Sequence, residues 1–433
     1  MTNKTVITPE YKSVIQSIES GAPCIFISGE AGSGKTTLLH YMTTYFTKAK
    51  KEVALVAPTG IAALQAGGST INSFFRFPAR ILLASDIKKS SDPSLYKALH
   101  ILFVDEVSMV RADMVDAMDA FLRRARSINK PFGGVQVVFI GDLYQLPPVV
   151  TTADKPILTE LGYVTGHYFF NAKVFTQIAI RNIALTQVFR QKDDGFKKML
   201  NKVRVAEDSV SVSSTLNSHC FLEIKKQHPL AITLATTNAI ADDKNIAELS
   251  RLKETPVIYK GEFEGDFKFA GSNLPALEKL VLKVGAVVLF TANDKDDAKR
   301  WVNGTLGKVI KLNKSNVEIQ TESGSLFVVE PYEWKSYDYT VVGGKISQKE
   351  TGKYKQYPLT LGWAITIHKS QGKTLNHLHI NLGTGAFATG QTYVALSRAV
   401  NLEGMTFERP VRASDIKCCA LVKAYLNPEF SLS

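Results

Sequence analysis

The fold is decided at residues 24–41, which read CIFISGEAGSGKTTLLHY. An apolar run is followed by a glycine-rich turn and then by an apparent helix, the order that a phosphate-binding site requires. The glycines let consecutive backbone N–H groups surround a phosphate, and the helix adds the positive end of its dipole. We expect Lys35 to reach the β- and γ-phosphates and the Thr36 hydroxyl to hold Mg²⁺. The stretch predicts a nucleoside triphosphate site. The other residues expected to contact the phosphates are Gly32, Ser33, Gly34 and Thr37.

Length and charge narrow the class of protein. A chain of 433 residues exceeds one typical core and predicts two or more domains. Hydrophobic residues at 45% and charged residues at 21% are typical of a soluble globular protein. The 52 basic against 40 acidic side chains give a net charge of +12, which favours a polyanionic partner such as nucleic acid. Many basic proteins bind no nucleic acid, so charge alone leaves the partner open.

The N-terminal sequence and the cysteines favour a cytoplasmic protein. Residues 1–5 contain no apolar signal core, and no segment approaches the roughly 20 apolar residues of a membrane helix. We therefore expect no targeting peptide and no membrane contact. The cysteines lack paired CxxC spacing, so we expect them to be reduced and structural, with no zinc site. They are Cys24, Cys220, Cys418 and Cys419.

Short apolar runs that end in polar or glycine-containing turns recur along the chain. The first set is Cys24–Ile27, Val53–Ala57, Ile101–Val104 and Val135–Ile140. A second set lies around Ala184–Leu185, Ala231–Leu234, Leu359–Ile365 and Leu378–Ile380. Helix-length segments separate most of these runs, which predicts two doubly wound parallel sheets with a cleft between them.

Two stretches interrupt this rhythm and set the predicted domain limits. Residues 71–94 are rich in proline and polar residues and predict a small excursion from the first sheet. Residues 245–353 carry short β-like runs between turns and predict a small barrel or antiparallel sheet. The first sheet domain then covers residues 1–70 and 95–180, and the second covers 181–244 and 354–433.

Two strand ends carry candidate hydrolytic residues. The run at residues 101–106, ILFVDE, places two carboxylates at the tip of a buried strand. We expect Asp105 to bind Mg²⁺ through its water shell and Glu106 to polarise the attacking water. A later strand ends shortly before Gln145, which could sense whether a γ-phosphate is present, and the double proline that follows stiffens this segment. The alternative interpretation of Gln145 is an ordinary polar loop residue.

Two arginines follow in the second predicted sheet domain. Arg190 lies in LTQVFRQ and Arg398 in YVALSRA. Hydrolysis needs positive charge on the γ-phosphate as the transition state forms, and arginine supplies it as a planar fork. Most arginines are solvated surface residues, so these two are singled out by the motifs around them. We expect both to reach the triphosphate when the cleft closes.

The motifs form one ordered series. They are GEAGSGKT (29–36), APTGIAALQAGGSTINSFF (57–75), VDEVSM (104–109), GDLYQLPPV (141–149), LTQVFRQ (185–191), TTN (236–238), LTLGWAITIHKSQGKTL (359–375) and YVALSRA (393–399). Together they resemble superfamily 1B DNA helicases and, more narrowly, the petite-integration-frequency (Pif) family, which is related to RecD-like helicases. The resemblance covers nearly the whole chain, and the short N-terminus is similar to a bacterial or phage catalytic core.

The resemblance implies an α/β fold of two RecA-like motor domains, with a wedge insertion at 71–94 and an SH3-like β insertion at 245–353. It implies ATP and Mg²⁺ as cofactors and an enzyme that moves 5′ to 3′ on single-stranded DNA and unwinds duplexes. Tailed duplexes, forks, quadruplexes or RNA–DNA hybrids are the implied substrates, in repair, recombination, replication or telomere-type maintenance. We expect a nucleoid-associated monomer that could pair into a dimer on DNA.

The resemblance also assigns roles to residues. Lys35, Glu106, Gln145, Arg190 and Arg398 would carry the ATP chemistry, and Gly372 would approach the γ-phosphate. The single strand would contact Pro58, Thr59, Thr70, Asn72, Phe74, Asn238, Thr366, His368 and Lys369. A lone histidine is more often a core or surface residue, but the motif around His368 favours DNA contact. Phe74 could stack on a base or equally pack within the excursion.

One position departs from the family pattern. Related helicases place an adenine-reading glutamine where this chain has Tyr11, and Gln16 follows about a turn later. Gln16 is therefore the candidate base contact, and the selectivity for adenine stays open. Other functions also stay open, namely an ATPase that strips proteins from DNA without separating strands, and an unwinder of RNA or RNA–DNA hybrids.

Overall fold

The computed structural model describes residues 7–191, 193–221, 228, 231–296 and 300–427. The terminal residues of the two predicted sheet domains, 1–6 and 428–433, lie outside this part of the chain. The helices are α1 (Pro9–Glu19), α2 (Lys35–Lys48), α3 (Gly60–Ala66), α4 (Ile71–Phe75), α5 (Ser94–Ala98), α6 (Ala112–Arg126), α7 (Asp154–Glu160), α8 (Asp194–Val205), α9 (Ser209–Cys220), α10 (Asn238–Arg251), α11 (Gln391–Leu396) and α12 (Ala420–Leu426).

The strands alternate with these helices in the first half of the chain and dominate the middle of the second half. They are β1 (Cys24–Gly29), β2 (Val53–Ala57), β3 (Ser69–Thr70), β4 (Ile101–Val104), β5 (Gln136–Gly141), β6 (Arg181–Leu185), β7 (Ile232–Ala235), β8 (Val257–Lys260), β9 (Glu262–Gly265), β10 (Lys279–Leu282), β11 (Val287–Phe290), β12 (Leu306–Leu312), β13 (Val317–Thr321), β14 (Leu326–Val329), β15 (Tyr332–Val342), β16 (Lys345–Gln356), β17 (Leu359–Leu361), β18 (Ala364–Thr366), β19 (Leu378–Asn381) and β20 (Met405–Phe407).

The first sheet is parallel, in the order β3-β2-β4-β5-β1-β6. Its central strands are buried along almost their whole length because helices cover both faces. Phe26 and Phe139 contribute to the core on one face, and Ile27 and Ile140 to the core on the other. The carboxyl ends of β1, β4 and β5 therefore meet at one edge, which confirms the predicted doubly wound arrangement. The loop at residues 29–36 lies at this edge.

One strand belongs to a different sheet from the one predicted. We expected the run at Ala184 and Leu185 in the second sheet, and it is instead the end of β6, which pairs with β1 at the edge of the first sheet. The reason is packing, since Leu185 is buried with Ile25 and Ile27 in the core that α1 covers. Residues 181–185 therefore belong to the first sheet domain, and the predicted start of the second domain at residue 181 is wrong.

The second parallel sheet has the order β18-β7-β19-β20. The predicted strand at Leu359–Ile365 is in fact two strands, because β17 pairs antiparallel with β11 and only β18 joins β7. Gly362 separates them at a close approach, where an added Cβ would lie 2.8 Å from the Val288 carbonyl carbon. The chain changes sheets at this glycine.

The segment predicted to interrupt the second sheet is antiparallel. Its main sheet has the order β14-β13-β12-β11-β17, and β8 pairs with β10. A long hairpin of β15 and β16, flanked by β9, extends from it. The SH3-like description of this segment stays a prediction.

That hairpin lies against the first sheet domain. The Tyr339 hydroxyl accepts a hydrogen bond from the Leu55 backbone N–H at 3.0 Å, and the Gln348 amide donates to the Gly67 carbonyl at 2.9 Å. The Tyr339 ring also packs edge-on against Phe74, with ring centroids 5.4 Å apart. The hairpin thus contacts the first sheet domain in space, although in sequence it lies between two segments of the second domain.

The C-terminal helix also returns to the first sheet domain. Val422 of α12 is buried in the core of the first sheet, and Tyr425 stacks on Phe170 with ring centroids 4.2 Å apart. The spacing of these apolar residues along one helix face explains the docking. The predicted placement of residues 420–426 with the second sheet is therefore wrong. In the described part of the chain, no helix has the length and apolar character needed to cross a bilayer.

Candidate functional site

A cavity of about 530 Å³ opens at the carboxyl edge of the first sheet. The second sheet domain closes its other side. The lining residues that the sequence singled out are Gly32, Ser33, Gly34, Lys35, Thr36, Thr37, Glu106, Gln145, Arg190, Gly372 and Arg398. Tyr11, Ala31, Phe189 and Thr374 complete the lining. Residues from seven separate motifs or segments thus meet around one space.

The glycine-rich loop has the backbone that its sequence predicts. Gly32 and Gly34 have φ values of 86° and 81°, a region that L side chains rarely adopt. An added Cβ on Gly32 would lie 2.5 Å from the Cβ of Arg190, so only glycine fits beside that arginine. Helix α2 begins at Lys35, so the free backbone N–H groups of its first turn point toward the cavity.

Lys35 closes the loop on itself. Its Nζ donates to the carbonyls of Gly29 and Glu30, both at 2.8 Å. Burial lowers the pKa of Lys35, while the carboxylates of Asp142 and Glu106 oppose this shift. A phosphate could replace the two carbonyls as the partner of this ammonium. Ser33 offers a second point of attachment because its buried Oγ has no hydrogen-bond partner among the residues that the structure describes.

The oxygen donors beside the loop suit a hard cation. The Thr36 hydroxyl lines the cavity, and the Asp105 carboxylate, which directly follows β4, accepts the Glu106 N–H at 2.9 Å. Hydroxyl and carboxylate oxygens are the ligands that Mg²⁺ prefers. In the described residues no cluster of three or more His, Cys, Asp or Glu side chains could hold a metal. The donor set therefore fits Mg²⁺ shared between the protein, water and phosphate, as in other phosphoryl-transfer sites.

Glu106 has an unusual backbone and an unusual carboxyl group. Its φ of 49° is in the left-handed region, which is uncommon for a residue with a side chain. Burial, and then the charge of Asp105, raise the pKa of Glu106 to about 7. Burial also raises the pKa of Asp105. A carboxyl group with a pKa near neutrality, lining a cavity beside a phosphate loop, is a candidate for proton chemistry.

Both predicted arginines face the cavity from the second sheet domain. Arg190 donates through Nη1 to the Ser397 carbonyl at 3.0 Å. Arg398 is 1% exposed and donates to the Val394 carbonyl at 3.0 Å and to the Ser397 hydroxyl at 2.8 Å. Burial, and then the neighbouring Arg190, lower the pKa of Arg398 to about 9. Two guanidinium groups are thus held close together with no carboxylate directly bonded to either of them among the described residues.

Gln145 connects the two sheet domains. Its Nε2 donates to Asp142 at 3.3 Å, and its Oε1 accepts from Gln371 of the second domain at 3.5 Å. The side chain is buried and lines the cavity. This position suits the predicted sensing of a bound phosphate.

Gln16 does not line the cavity, and this prediction is wrong for the structure. The buried face of α1 carries Tyr11, Val14 and Ile18, and Gln16 lies on the exposed opposite face of the helix. Tyr11 takes the position at the cavity instead, where its hydroxyl donates to the Gly34 carbonyl at 2.9 Å. Burial raises the pKa of Tyr11.

The residues predicted to contact single-stranded DNA lie at helix starts and loop ends of both sheet domains. Thr59 and Thr70 cap α3 and α4 through their hydroxyls, and Pro58 and Asn72 line a second cavity of about 140 Å³. Asn238 begins α10 and is exposed. In the second domain, Thr366 is buried and caps the Lys369 N–H at 3.3 Å, His368 is half-buried, and Lys369 is exposed. Burial lowers the pKa of His368.

Phe74 is the exception among these residues. It is 5% exposed, and its ring packs edge-on against Phe75, Tyr96 and Tyr339. Phe75 and Phe77 are buried in the same core cluster. No face of the Phe74 ring is open for stacking, so the structure contradicts the predicted base contact and supports the packing alternative.

Several residues of the site were missed in the sequence. Asp142 and Tyr393 lie inside quoted motifs, and their strand-end and helix-start positions could have marked them. Arg204 of α8 bonds to Asp142 at 3.0 Å, but no motif surrounds it. Lys373 follows Gly372, bonds to Asn303 of the insertion, and has its pKa lowered to about 8 by burial.

A phosphate loop, a carboxylate pair that follows a buried strand and arginines from a second parallel-sheet domain are the parts of a P-loop nucleotide site that two domains share. Residues 6–243 match the family model described as PIF1-like helicase. The human ATP-dependent DNA helicase PIF1 is 31% identical over 411 residues, which cover 93% of this chain and 60% of the human protein. The chain belongs to the PIF1-like helicase family, and it spans about 60% of the length of this human relative.

Solved structures agree with this assignment. Pif1 from a Bacteroides species in complex with ADP-AlF4 is 34% identical and superposes with a TM-score of 0.89, covering 98% of this chain and 97% of that one. Bacteroides Pif1 in complex with ADP-AlF3 and single-stranded DNA is 33% identical with a TM-score of 0.70, over 98% and 97% of the two chains. These findings confirm the predicted α/β fold class and family.

Proposed function

We propose that this protein is an ATP-dependent DNA helicase that moves 5′ to 3′ on single-stranded DNA and unwinds duplexes. The observation that carries the proposal is the single cavity in which Lys35 and Glu106 of the first sheet domain face Arg190 and Arg398 of the second. Such a site is complete only when both domains contribute. Hydrolysis there is therefore linked to the relative position of the two domains, which is the requirement for a motor.

Each residue has a role that follows from its position. Lys35 leaves the loop carbonyls to bind the β- and γ-phosphates, with the Ser33 Oγ and the loop N–H groups beside it. Glu106 orients and polarises the attacking water, and Gln145 responds to the γ-phosphate. Arg190, Arg398 and Gly372 approach the γ-phosphate from the second domain. Mg²⁺, held by Thr36 and by Asp105 through water, would neutralise charge on the phosphate oxygens.

The raised pKa of Glu106 predicts a pH dependence. The carboxyl group must be ionised to polarise water, and its pKa is about 7, so the active form is lost as the pH falls below that value. We expect kcat/KM for ATP to fall roughly tenfold per pH unit below about pH 7 and to level off above it. Initial rates across this range measure the profile. Glu106→Gln should remove the dependence, and a flat wild-type profile would contradict the role of Glu106.

DNA as the partner is supported by charge, by family and by the relative solved with single-stranded DNA. Pro58, Thr59, Thr70, Asn72, Asn238, Thr366, His368 and Lys369 are the proposed contacts. Their hydroxyl, amide and imidazole groups suit phosphate and sugar, which carry no sequence information. Tailed duplexes and forks are the proposed substrates, in repair, recombination, replication or telomere-type maintenance. We propose a monomer in solution that could form a dimer on DNA.

Strand displacement tests the function and its direction. Two substrates share one duplex and differ only in a 5′ or a 3′ single-stranded tail. With ATP and Mg²⁺, we expect release from the 5′-tailed duplex and little from the 3′-tailed one, and no release by Lys35→Ala. Release only from the 3′-tailed duplex would overturn the direction. ATP turnover that DNA stimulates, without release of any strand, would instead indicate a protein-stripping ATPase.

The same assay separates the nucleic-acid alternatives. A matched set of DNA duplex, RNA duplex and RNA–DNA hybrid, each with a 5′ DNA or RNA tail, compares rates under one condition. We expect the DNA-tailed substrates to be unwound fastest. Faster release from the RNA duplex would contradict the proposal of a DNA motor.

A further inference from the structure

A buried hydrogen-bonded cluster joins the two sheet domains beside the nucleotide cavity. Asp142 directly follows β5 of the first sheet, and its carboxylate accepts from Arg204 of α8 at 3.0 Å and from the Tyr393 hydroxyl of α11 at 3.1 Å. Helices α8 and α11 share a core with the second sheet. One carboxylate of the first domain therefore holds two side chains of the second.

The same cluster contacts the phosphate loop. The Tyr393 hydroxyl accepts the backbone N–H of Ala31 at 3.1 Å, while it donates to Asp142. Arg204 also lies 3.9 Å from the carboxylate of Glu30 in the same loop. Two side chains of the second domain thus touch the loop that would hold the triphosphate.

Asp142 has a third partner, which links the cluster to the cavity. The Nε2 of Gln145 donates to its Oδ2 at 3.3 Å. If a γ-phosphate draws this amide toward itself, the side-chain partners left to Asp142 within the described part of the chain are Arg204 and Tyr393. A ligand in the cavity would therefore change the hydrogen bonding of Asp142 at the boundary between the domains.

Burial makes the cluster sensitive to such a change. Asp142 is 1% exposed and Tyr393 is 2% exposed. Burial alone would raise the pKa of Asp142, but Arg204 and Lys35 outweigh it and keep this pKa below its usual range, so the carboxylate stays charged. Losing one partner of a buried charge is costly, so the cluster favours discrete arrangements over gradual ones.

We propose that Tyr393 and Arg204 are positioning residues that couple nucleotide binding to DNA binding. They do so through Asp142, which contacts Gln145 on one side and the second domain on the other. The proposal rests on the function proposed above, because it assigns the route by which one ligand changes the affinity for the other. Coupling of this kind is reciprocal and is measured as a ratio of dissociation constants.

The experiment measures that ratio directly. A labelled oligo-dT strand is titrated with the whole 433-residue chain, with and without saturating non-hydrolysable ATP analogue and Mg²⁺. We expect wild type to show an affinity ratio of about 5 to 150, the usual range for coupled sites. Tyr393→Phe keeps the ring in the core and removes the hydroxyl, and should bring the ratio to within about twofold of 1. Arg204→Lys, which keeps the charge but loses the planar fork, should act in the same direction.

Tyr163→Phe is the matched control. The Tyr163 hydroxyl donates to Asp116 at 2.7 Å, a partly buried tyrosine–aspartate bond that lies wholly within the first domain. Its loss should leave the coupling ratio at the wild-type value. Because Tyr393 and Arg204 share Asp142, the double variant Tyr393→Phe with Arg204→Lys should be no worse than the more severe single variant.

The possible outcomes decide between the claims. A wild-type ratio retained by Tyr393→Phe, or an equal loss in Tyr163→Phe, would overturn the coupling role. A wild-type ratio of 1 would overturn it as well, because there would be no coupling to transmit. The proposed function is judged separately by strand displacement, so wild type that shows coupling but releases no strand would refute the helicase proposal alone.

Discussion

A protein carrying Glu106→Gln is expected to bind ATP and DNA but to hydrolyse ATP at least about 100-fold more slowly than wild type. Glutamine has nearly the shape of glutamate, so the half-buried position of Glu106 can be filled without rearrangement. It cannot accept a proton at neutral pH, so the attacking water loses its general base. Phosphate release at saturating single-stranded DNA measures the turnover, and a fluorescent nucleotide measures binding.

The matched control for this change is Glu160→Gln. Glu160 is an exposed carboxylate at the end of α7 and lies outside the nucleotide cavity. Its substitution should leave turnover within about twofold of wild type, since surface changes of this kind have small effects. DNA-stimulated turnover of Glu106→Gln within tenfold of wild type would show that another group activates the water.

Arg398→Lys is expected to lower kcat at saturating DNA by about 1,000-fold or more, the loss typical of a missing catalytic arginine. Lysine keeps one positive charge, but it lacks the planar fork by which Arg398 bonds to Val394 and Ser397. The remaining ammonium cannot hold these groups and bind a phosphate together. Steady-state turnover and nucleotide affinity, measured on the same preparation, separate catalysis from binding.

Two further variants keep this prediction open to refutation. Arg190→Ala removes the second guanidinium group that lines the cavity and should also lower kcat strongly. Arg190 is less buried than Arg398, so its substitution is less disruptive to packing. Arg251→Lys is the control, because the Arg251 side chain is 72% exposed and pairs with Glu248 on the surface of α10. If Arg398→Lys binds nucleotide normally and retains more than about a tenth of the wild-type kcat, the arginine does not act on the transferred phosphate.

The nucleotide site was predictable because each of its parts has a local signature. A phosphate loop needs glycines at fixed positions, and the values of φ at Gly32 and Gly34 show why. Glu106 was identified by its place after an apolar strand, since parallel strands bring their carboxyl ends to one edge. Local sequence therefore specifies the side chains that project from one loop or one strand end.

What the sequence did not reveal depends on contacts between distant segments. Arg204 has no motif of its own, and only the approach of α8 to Asp142 gives it a role. Phe74 lies in a motif that suggests DNA contact, but Tyr96 and Tyr339 enclose its ring. Gln16 lies on the face of α1 that points away from the cavity. The buried residues of α1 show this once Tyr11 is known to face inward.

The placement of two strands failed for a similar reason. An apolar run predicts a strand but not its partner, and β6 could have joined either sheet until its pairing with β1 and the burial of Leu185 in the adjoining core fixed it. In the same way, Leu359–Ile365 reads as one run, although Gly362 turns it between two sheets. Pairing is decided by tertiary packing rather than by strand propensity.

The return of the chain to the first sheet domain has a consequence for synthesis on the ribosome. The last strand of the first sheet is complete at Leu185, but Tyr339 and the helix at 420–426 add to its core only much later. At ordinary translation rates the roughly 240 residues from Leu185 to Leu426 take about 12–50 s to make. During that interval Phe74, Phe169 and Phe170 lack aromatic partners that cover them in the finished protein. The nascent first domain therefore exposes an aromatic surface that a chaperone could bind until the C-terminal helix emerges.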